Sequence, residues 1–419
     1  MKYSIKKIRF ESGERFVNLV NEAGIPLFLP TIWLLTSYRG RGLAFNTLYQ
    51  AVQSIEVLYT YLSNKGIDLD DRLSQGPLFA NAELDDLLSF LKKPIADIRQ
   101  EQKHSAGLGK KSFKGGESVR MGSPKEGVEI SSNTALKRIT YVRDFLQYCC
   151  MHQIHRTQNN QSRANNLNRS KELIDQYLKE RAPKLQASIS ERLGLSKEVQ
   201  EKINELIKVG GKNNPWIDSR VQFRNFLIIR FLLETGMRRG EMLNIMVPDI
   251  NFQSHTVKVI RRPDNPNDPR LDQPVVKTLS REIPISEKLC LHIRDYISTN
   301  RNKDLYAKKH GFLFTAIGTG SPLAINSLSK AFKVIKAALP DVDEQISPHI
   351  LRHTWNDNFS DFCDSKKMSQ SEEERIRNNL MGWSPTSKMA VRYSKRHTKE
   401  AARKASEEMQ KKYWRTADE

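Results

Sequence analysis

Apolar positions along this chain change period twice, and each change predicts a new structural unit. Over the first thirty residues they alternate: Tyr3, Ile5, Ile8 and Phe10, then Phe16, Val17, Leu19 and Val20, with Glu11-Ser12-Gly13-Glu14 between. That pattern predicts a hairpin, closed by Glu22-Ala23-Gly24-Ile25-Pro26. From Ala44 the step becomes three and four residues. Leu48, Val52, Ile55, Tyr59 and Leu62 share one helix face, which stops at Lys65-Gly66. Leu84, Leu87, Leu88 and Leu91 predict a second helix ending before Pro94, and Leu136, Ile139, Val142, Leu146 and Cys149 a third. Polar, Asn-rich Thr157 to Ser170 separates the third from a fourth around Leu173 to Leu178. Gln102 to Glu126, rich in Gly, Lys and Ser, reads as a loop or basic strap.

A second unit opens at Leu195. Ser196 is a good N-cap for a helix from Lys197 to Val209, which Gly210-Gly211-Lys212-Asn213-Asn214-Pro215 breaks. Phe223, Phe226, Leu227 and Phe231, widened by Ile228, Ile229, Leu232 and Leu233, predict a helix buried on most sides, with only Arg230 interrupting the run from Phe226 to Leu233. Thr256 to Arg261 and Pro274 to Ile285 read as strands around a polar loop, Pro263 to Asp272, and the chain from Ser286 on reads as mostly helical. The expected plan is a strand-rich appendage at 1–30, a helical domain at 31–185, a linker at 186–194 and a second domain at 195–419. The fold class is mainly α with a small β-sheet in the second domain.

Composition sharpens this picture. A 38% apolar fraction supports cored domains, and a net charge of +20 calls for a polyanionic partner, with duplex DNA or RNA the default. Met1 to Arg15 is polar and no apolar run is long enough to span a bilayer, so the expected location is cytoplasmic. The four cysteines, Cys149, Cys150, Cys290 and Cys363, lack C-x-x-C spacing and read as reduced core residues.

Reactive side chains concentrate in the second unit. In Thr235-Gly236-Met237-Arg238-Arg239-Gly240-Glu241, Gly236 can close one helix and Arg238 open the next, placing a guanidinium where a helix N-terminus favours an anion. Glu241, three residues on, can hold that guanidinium; taken alone, the two make an ordinary surface ion pair. Ser347-Pro348-His349-Ile350-Leu351-Arg352-His353 is a helix start, with a serine cap and proline at the first position, and sets His349 and Arg352 on one face. A zinc reading of His349, His353 and Cys363 lacks a fourth ligand and a carboxylate base.

Three elements in order, Thr235 to Leu243, the His-x-x-Arg-His helix, and Leu380-Met381-Gly382-Trp383 followed by Tyr393, resemble the catalytic domain of the tyrosine recombinase (phage integrase) family. The resemblance covers about Leu195 to His397. It assigns the catalytic set to Arg238, Lys277, His349, Arg352, Trp383 and Tyr393, with Tyr393 the nucleophile. Lys277 comes from the stretch Lys277-Thr278-Leu279-Ser280-Arg281-Glu282-Ile283-Pro284, which resembles the family's lysine-bearing β-hairpin, and Lys258 is its rival. The chain departs from the pattern in a longer Pro263 to Asp272 loop, in an acidic, insertion-like Ser369 to Arg377, and in a longer step from Trp383 to Tyr393 that brings in Tyr413 as a rival nucleophile.

The resemblance implies a site-specific DNA recombinase working through a 3′-phosphotyrosyl intermediate, with no cofactor, metal or ATP. It further implies a multi-domain DNA clamp, with the helical region at 31–185 as a core-binding domain. The partner is double-stranded DNA, and strand exchange takes a homotetramer on two DNA sites. Lys399 to Trp414 is a candidate for packing between protomers and equally for a solvated terminal helix. A type IB topoisomerase is the nearest alternative within enzymes, and a catalytically silent DNA-binding regulator is the alternative outside them.

Overall fold

A computed structural model describes residues 3–100, 129–157, 160–185, 194–387, 389–390, 402–403, 405–411 and 413. All of the 102–126 loop and all of the 186–194 linker except Gly194 lie outside the described residues. The chain divides into two compact units, Met1–Phe10 with Arg15–Ala187, and Ser188–Glu419 with Glu11–Glu14.

In the first unit, β1 (Ser4–Arg9) pairs antiparallel with β2 (Arg15–Val20), Ser4 opposite Val20 and Arg9 opposite Arg15. Every residue of β2 is buried. Phe16, Val17 and Leu19 belong to the same core as the helices, so the hairpin is an integral layer of this unit and not a separate appendage. Helix α1 (Phe28–Leu34) continues into a π-helical turn at Leu35–Arg39. α2 (Phe45–Lys65) ends at Gly66 in the left-handed region, where the predicted stop falls. α3 (Leu69–Gln75) is capped by Asp68, whose side chain accepts from the N–H groups of Asp70 and Asp71. α4 (Asn81–Leu91), α5 (Ser132–Arg156) and α6 (Gln161–Glu180) complete the unit.

Helix α6 starts inside the stretch expected to be a polar separator. Asn160 caps it by accepting from the Arg163 N–H at 3.0 Å, Leu167 is fully buried, and the Ser170 hydroxyl accepts from the Leu78 N–H at 3.3 Å. One apolar residue per two turns anchors this segment, too sparse a signal for periodicity to register.

The second unit is built on α7 (Lys197–Leu206), α8 (Ser219–Thr235) and the single-turn α9 (Arg239–Met242). An antiparallel sheet of β3 (Ile250–Asn251), β4 (Thr256–Val259) and β5 (Arg281–Pro284) follows, with Val257 opposite both Ile250 and Ile283. Helices α10 (Glu287–Thr299), α12 (Ile325–Ala338) and α13 (Pro348–Ser365) add to the core, and α11 (Leu305–Lys308) and α14 (Gln370–Met381) complete the unit, with Met381 of α14 packed beside Trp383 in a smaller cluster. No described helix is long and apolar enough to cross a membrane.

One expectation needs correction here. The second strand spans four residues and not twelve: from Pro274 to Ser280 the chain is irregular, with a bend at Thr278, and off the ladder. The preceding loop is no slack insertion. Arg270 grips Asp268 with two nitrogens at 2.8 and 2.9 Å and donates to the Leu243 and Leu323 carbonyls at 3.0 Å, all in the interior. Likewise Ser369 to Arg377 is a structural helix. Ser369 caps it, and fully buried Arg377 donates to the Asn356 carbonyl at 2.9 Å and the Ser360 hydroxyl at 2.6 Å while pairing with Glu373. Arg377→Ala leaves the Glu373 carboxylate buried without its cation. The urea unfolding free energy of the second unit should fall by about 3–5 kcal/mol; an unchanged midpoint would show that the network carries no stability.

Candidate active site

Helix α8 ends at Gly236, whose φ of +60° suits glycine, and an added Cβ would lie 2.7 Å from the Trp355 ring. The chain reverses there and Arg238 becomes the N-cap of α9. Because α9 is a single turn, the expected helix-dipole site does not form. Its first free N–H, that of Arg238, already donates to Glu241 Oε2 at 3.1 Å.

Glu241 organises the region. Its side chain is fully buried, and it accepts from Arg238 Nη1 at 3.2 Å, Arg281 Nη2 at 2.8 Å and the Thr278 hydroxyl at 2.8 Å. Burial alone would raise the carboxyl pKa. The charges of Arg281, Arg352 and Arg238, with the Arg281 hydrogen bond, outweigh it and hold the group below its ordinary value of 4.5. Three guanidiniums around one carboxylate leave a net positive cluster, the electrostatic complement of a phosphodiester.

Arg352 comes from α13, which starts as expected, with the Ser347 hydroxyl accepting from the Ile350 N–H at 3.3 Å and Pro348 in the first turn. Its guanidinium is buried, donates to the Gly236 carbonyl at 2.7 Å, and lies 5.3 Å from the centre of the Trp383 ring. Arg238, by contrast, keeps 34% of its side chain exposed. His349 is exposed one turn before Arg352 on α13, its Nε2 3.2 Å from that of His353. Cys363 lies fourteen residues from His349 on this helix, roughly 21 Å along its axis, too far to share one metal ion with the histidines.

Lys277 is exposed in the irregular lead-in to β5, off the sheet, whereas Lys258 sits on β4 opposite Glu282. The lead-in is drawn close to α9 because Gly240 has no side chain; a Cβ there would meet the Val275 carbonyl at 2.9 Å. Lys277 therefore directly precedes Thr278, which is bonded to Glu241. Tyr393 lies outside the described residues. Tyr413 is 70% exposed on a terminal helical stretch.

Arg281 and Thr278 escaped the motif reading. A signal for the first existed: two-residue alternation puts Arg281 on the same face of β5 as buried Ile283, so an arginine points inward.

An α-helical domain with a small antiparallel sheet thus gathers Arg238, Arg352 and Trp383 around one basic, anion-complementary centre. Residues 197–362 match the model of the phage integrase family. The match of tyrosine recombinase XerD from Halalkalibacterium halodurans is 24% identical over 143 residues, covering 34% of this chain and 42% of that protein. XerD from Pasteurella multocida is 25% identical over 147 residues, 34% of this chain and 43% of that protein. The chain thus spans about two fifths of the length of these curated relatives. Among solved structures, XerH site-specific recombinase bound to difH aligns at 15% identity with a TM-score of 0.48, over 91% of this chain and 86% of that one. A lambda integrase dimer on a core site aligns at 14% identity with a TM-score of 0.44, over 87% and 75% respectively.

The lowered Glu241 pKa has a definite sign. A carboxylate with a depressed folded pKa contributes stability above its unfolded pKa, and that contribution is lost as pH falls through 4.5 towards the folded value. Glu241→Gln should cost the second unit about 3 kcal/mol at pH 7. The gap between variant and parent should close as the pH of the unfolding experiment is lowered below the ordinary glutamate range; a pH-independent gap would contradict an ionised Glu241.

Proposed function

We propose that this protein is a site-specific DNA recombinase that breaks and rejoins strands through a 3′-phosphotyrosyl intermediate. The observation that carries the reading is the convergence of Arg238 and Arg352, from distant parts of the chain, beside one buried carboxylate in a domain that matches the model of the phage integrase family.

In this reading the Tyr393 oxygen attacks the scissile phosphorus in line. Arg238 and Arg352, assisted by His349 and the Trp383 indole N–H, stabilise the charge that builds on the non-bridging oxygens. Lys277 gives a proton to the departing 5′-oxygen. The ester bond energy is retained in the phosphotyrosine, and a 5′-hydroxyl from another strand reverses the step, so the chemistry needs neither metal, cofactor nor ATP. Double-stranded DNA is the partner, with four protomers on two DNA sites during exchange, the helical first unit acting with the second as a clamp, and the cytoplasm as the place of action. The XerD relatives are named tyrosine recombinases, and the XerH and lambda integrase structures hold DNA sites, which supports this choice of substrate.

Incubated with a nicked duplex carrying a sequence selected from DNA flanking its gene, the protein should form a covalent complex that survives SDS and is insensitive to EDTA. Tyr393→Phe removes one oxygen and should abolish that complex while leaving duplex affinity nearly unchanged, whereas Tyr413→Phe should leave it intact. The opposite result would move the nucleophile to Tyr413; loss of the complex in EDTA would sink the metal-free chemistry. Non-specific duplex binding should weaken linearly on a log-log plot against salt, as counterion release requires for a chain of charge +20. Salt-insensitive binding would contradict a phosphate-dominated interface.

A further inference from the structure

Arg281 takes no part in the chemistry above, yet its guanidinium ties together the segments that carry it. Its side chain is 5% exposed. Nη2 binds Glu241 Oε2 at 2.8 Å, Nη1 donates to the Thr278 hydroxyl at 3.0 Å, and Nε donates to the Leu380 carbonyl at 2.7 Å. Those partners lie on the α9 turn with Arg238, on the lead-in that follows Lys277, and at the end of α14 beside Trp383. Two further bonds close the arrangement: Thr278 Oγ1 donates to Glu241 Oε1 at 2.8 Å, and the Leu279 N–H donates to the Gly382 carbonyl at 3.0 Å. Both residues after Lys277 are therefore fixed, although Lys277 itself is exposed and off the sheet.

We propose that Arg281 is a positioning residue for strand cleavage, setting the Lys277 segment against the Arg238–Glu241 turn and the Trp383 turn so that Lys277 meets the leaving 5′-oxygen. The inference rests on the recombinase reading. A planar fork with donors in three directions is needed here, and an ammonium at the end of a flexible stem cannot reproduce it. In the step concerned, the Tyr393 Oη–phosphorus bond forms, the phosphorus–O5′ bond breaks, the tyrosine proton passes to solvent water, and O5′ gains a proton from Lys277 Nζ. The electron pair of the broken bond leaves on O5′. A misplaced Lys277 thus weakens protonation of the leaving group and nothing else in the step.

Replacing the bridging 5′-oxygen by sulfur isolates this contribution, since a thiol ionises near about 8.5 and its thiolate departs without a proton. Full-length parent, Lys277→Ala, Arg281→Ala and Arg281→Lys proteins are compared in single-turnover cleavage of the selected nicked duplex, in oxygen and sulfur forms. Thermal melting and gel-shift run alongside. Arg281→Ala and Arg281→Lys should both slow cleavage of the oxygen substrate by about a hundredfold at little changed duplex binding. On the sulfur substrate they should return to near the parent rate, as Lys277→Ala does. Parental cleavage of the oxygen substrate by Arg281→Ala, or an equal defect on both substrates, overturns the proposal. If Arg281→Ala does not fold, Thr278→Val carries the test, with a defect of about tenfold that sulfur restores; no defect, or one sulfur leaves in place, overturns it. A parent protein that forms no covalent complex with either substrate overturns the recombinase reading itself, a result distinct from failed rescue.

Discussion

One buried negative charge holds the candidate site together. Glu241 has no solvent to stabilise its carboxylate, and ionised burial costs several kcal/mol unless the charge is fully paired. Its partners come from its own turn (Arg238) and from the segment entering β5 (Thr278 and Arg281), with the charge of Arg352 on α13 close enough to lower its pKa. Removing any of them leaves the carboxylate under-compensated, so the segments are energetically bound to one another. The surplus of positive charge that results is what an anionic phosphate would meet. Structural integrity and complementarity to an anion are thus two consequences of the same cluster.

The same physics recurs wherever this unit lacks apolar anchors. Pro263 to Asp272 is nearly devoid of core-forming side chains, yet Arg270 and Asp268 pin it inside. The acidic stretch before Trp383 is fixed by Arg377, paired with Glu373 and bonded to the Asn356 carbonyl. Buried ion pairs of this kind contribute little net stability over an apolar replacement, but they are costly to break singly and they specify one arrangement. A site that must hold several charged groups at fixed separations gains from that specificity more than from added stability.

Much of the helical framework was legible because apolar periodicity and caps act locally. The stop of α2 at Gly66, the serine cap of α7 and the serine-proline start of α13 all fall where the sequence puts them. The misreadings share a cause. Helix α6 starts earlier than periodicity predicts because one deeply buried Leu167 does the work of a stripe, and strand β5 is shorter than predicted because the residues before it are held by side-chain and carbonyl bonds instead of a ladder. The N-terminal hairpin reads as separate in the sequence because its core partners, on helices later in the chain, are invisible to alternation.

By itself the sequence determined the helical class, the small sheet, the polyanion-seeking charge and the order of the reactive residues, since each follows from local pattern or from composition. Only the tertiary structure decided that Glu241 is buried, that Arg352 lies against the Trp383 ring and binds the Gly236 carbonyl, and that Arg281 ties three segments into one frame. Those relations depend on desolvation and on contacts between residues distant in sequence. An arginine spells the same in a solvated ion pair and in a buried fork; its surroundings, which the folded chain alone supplies, make the difference.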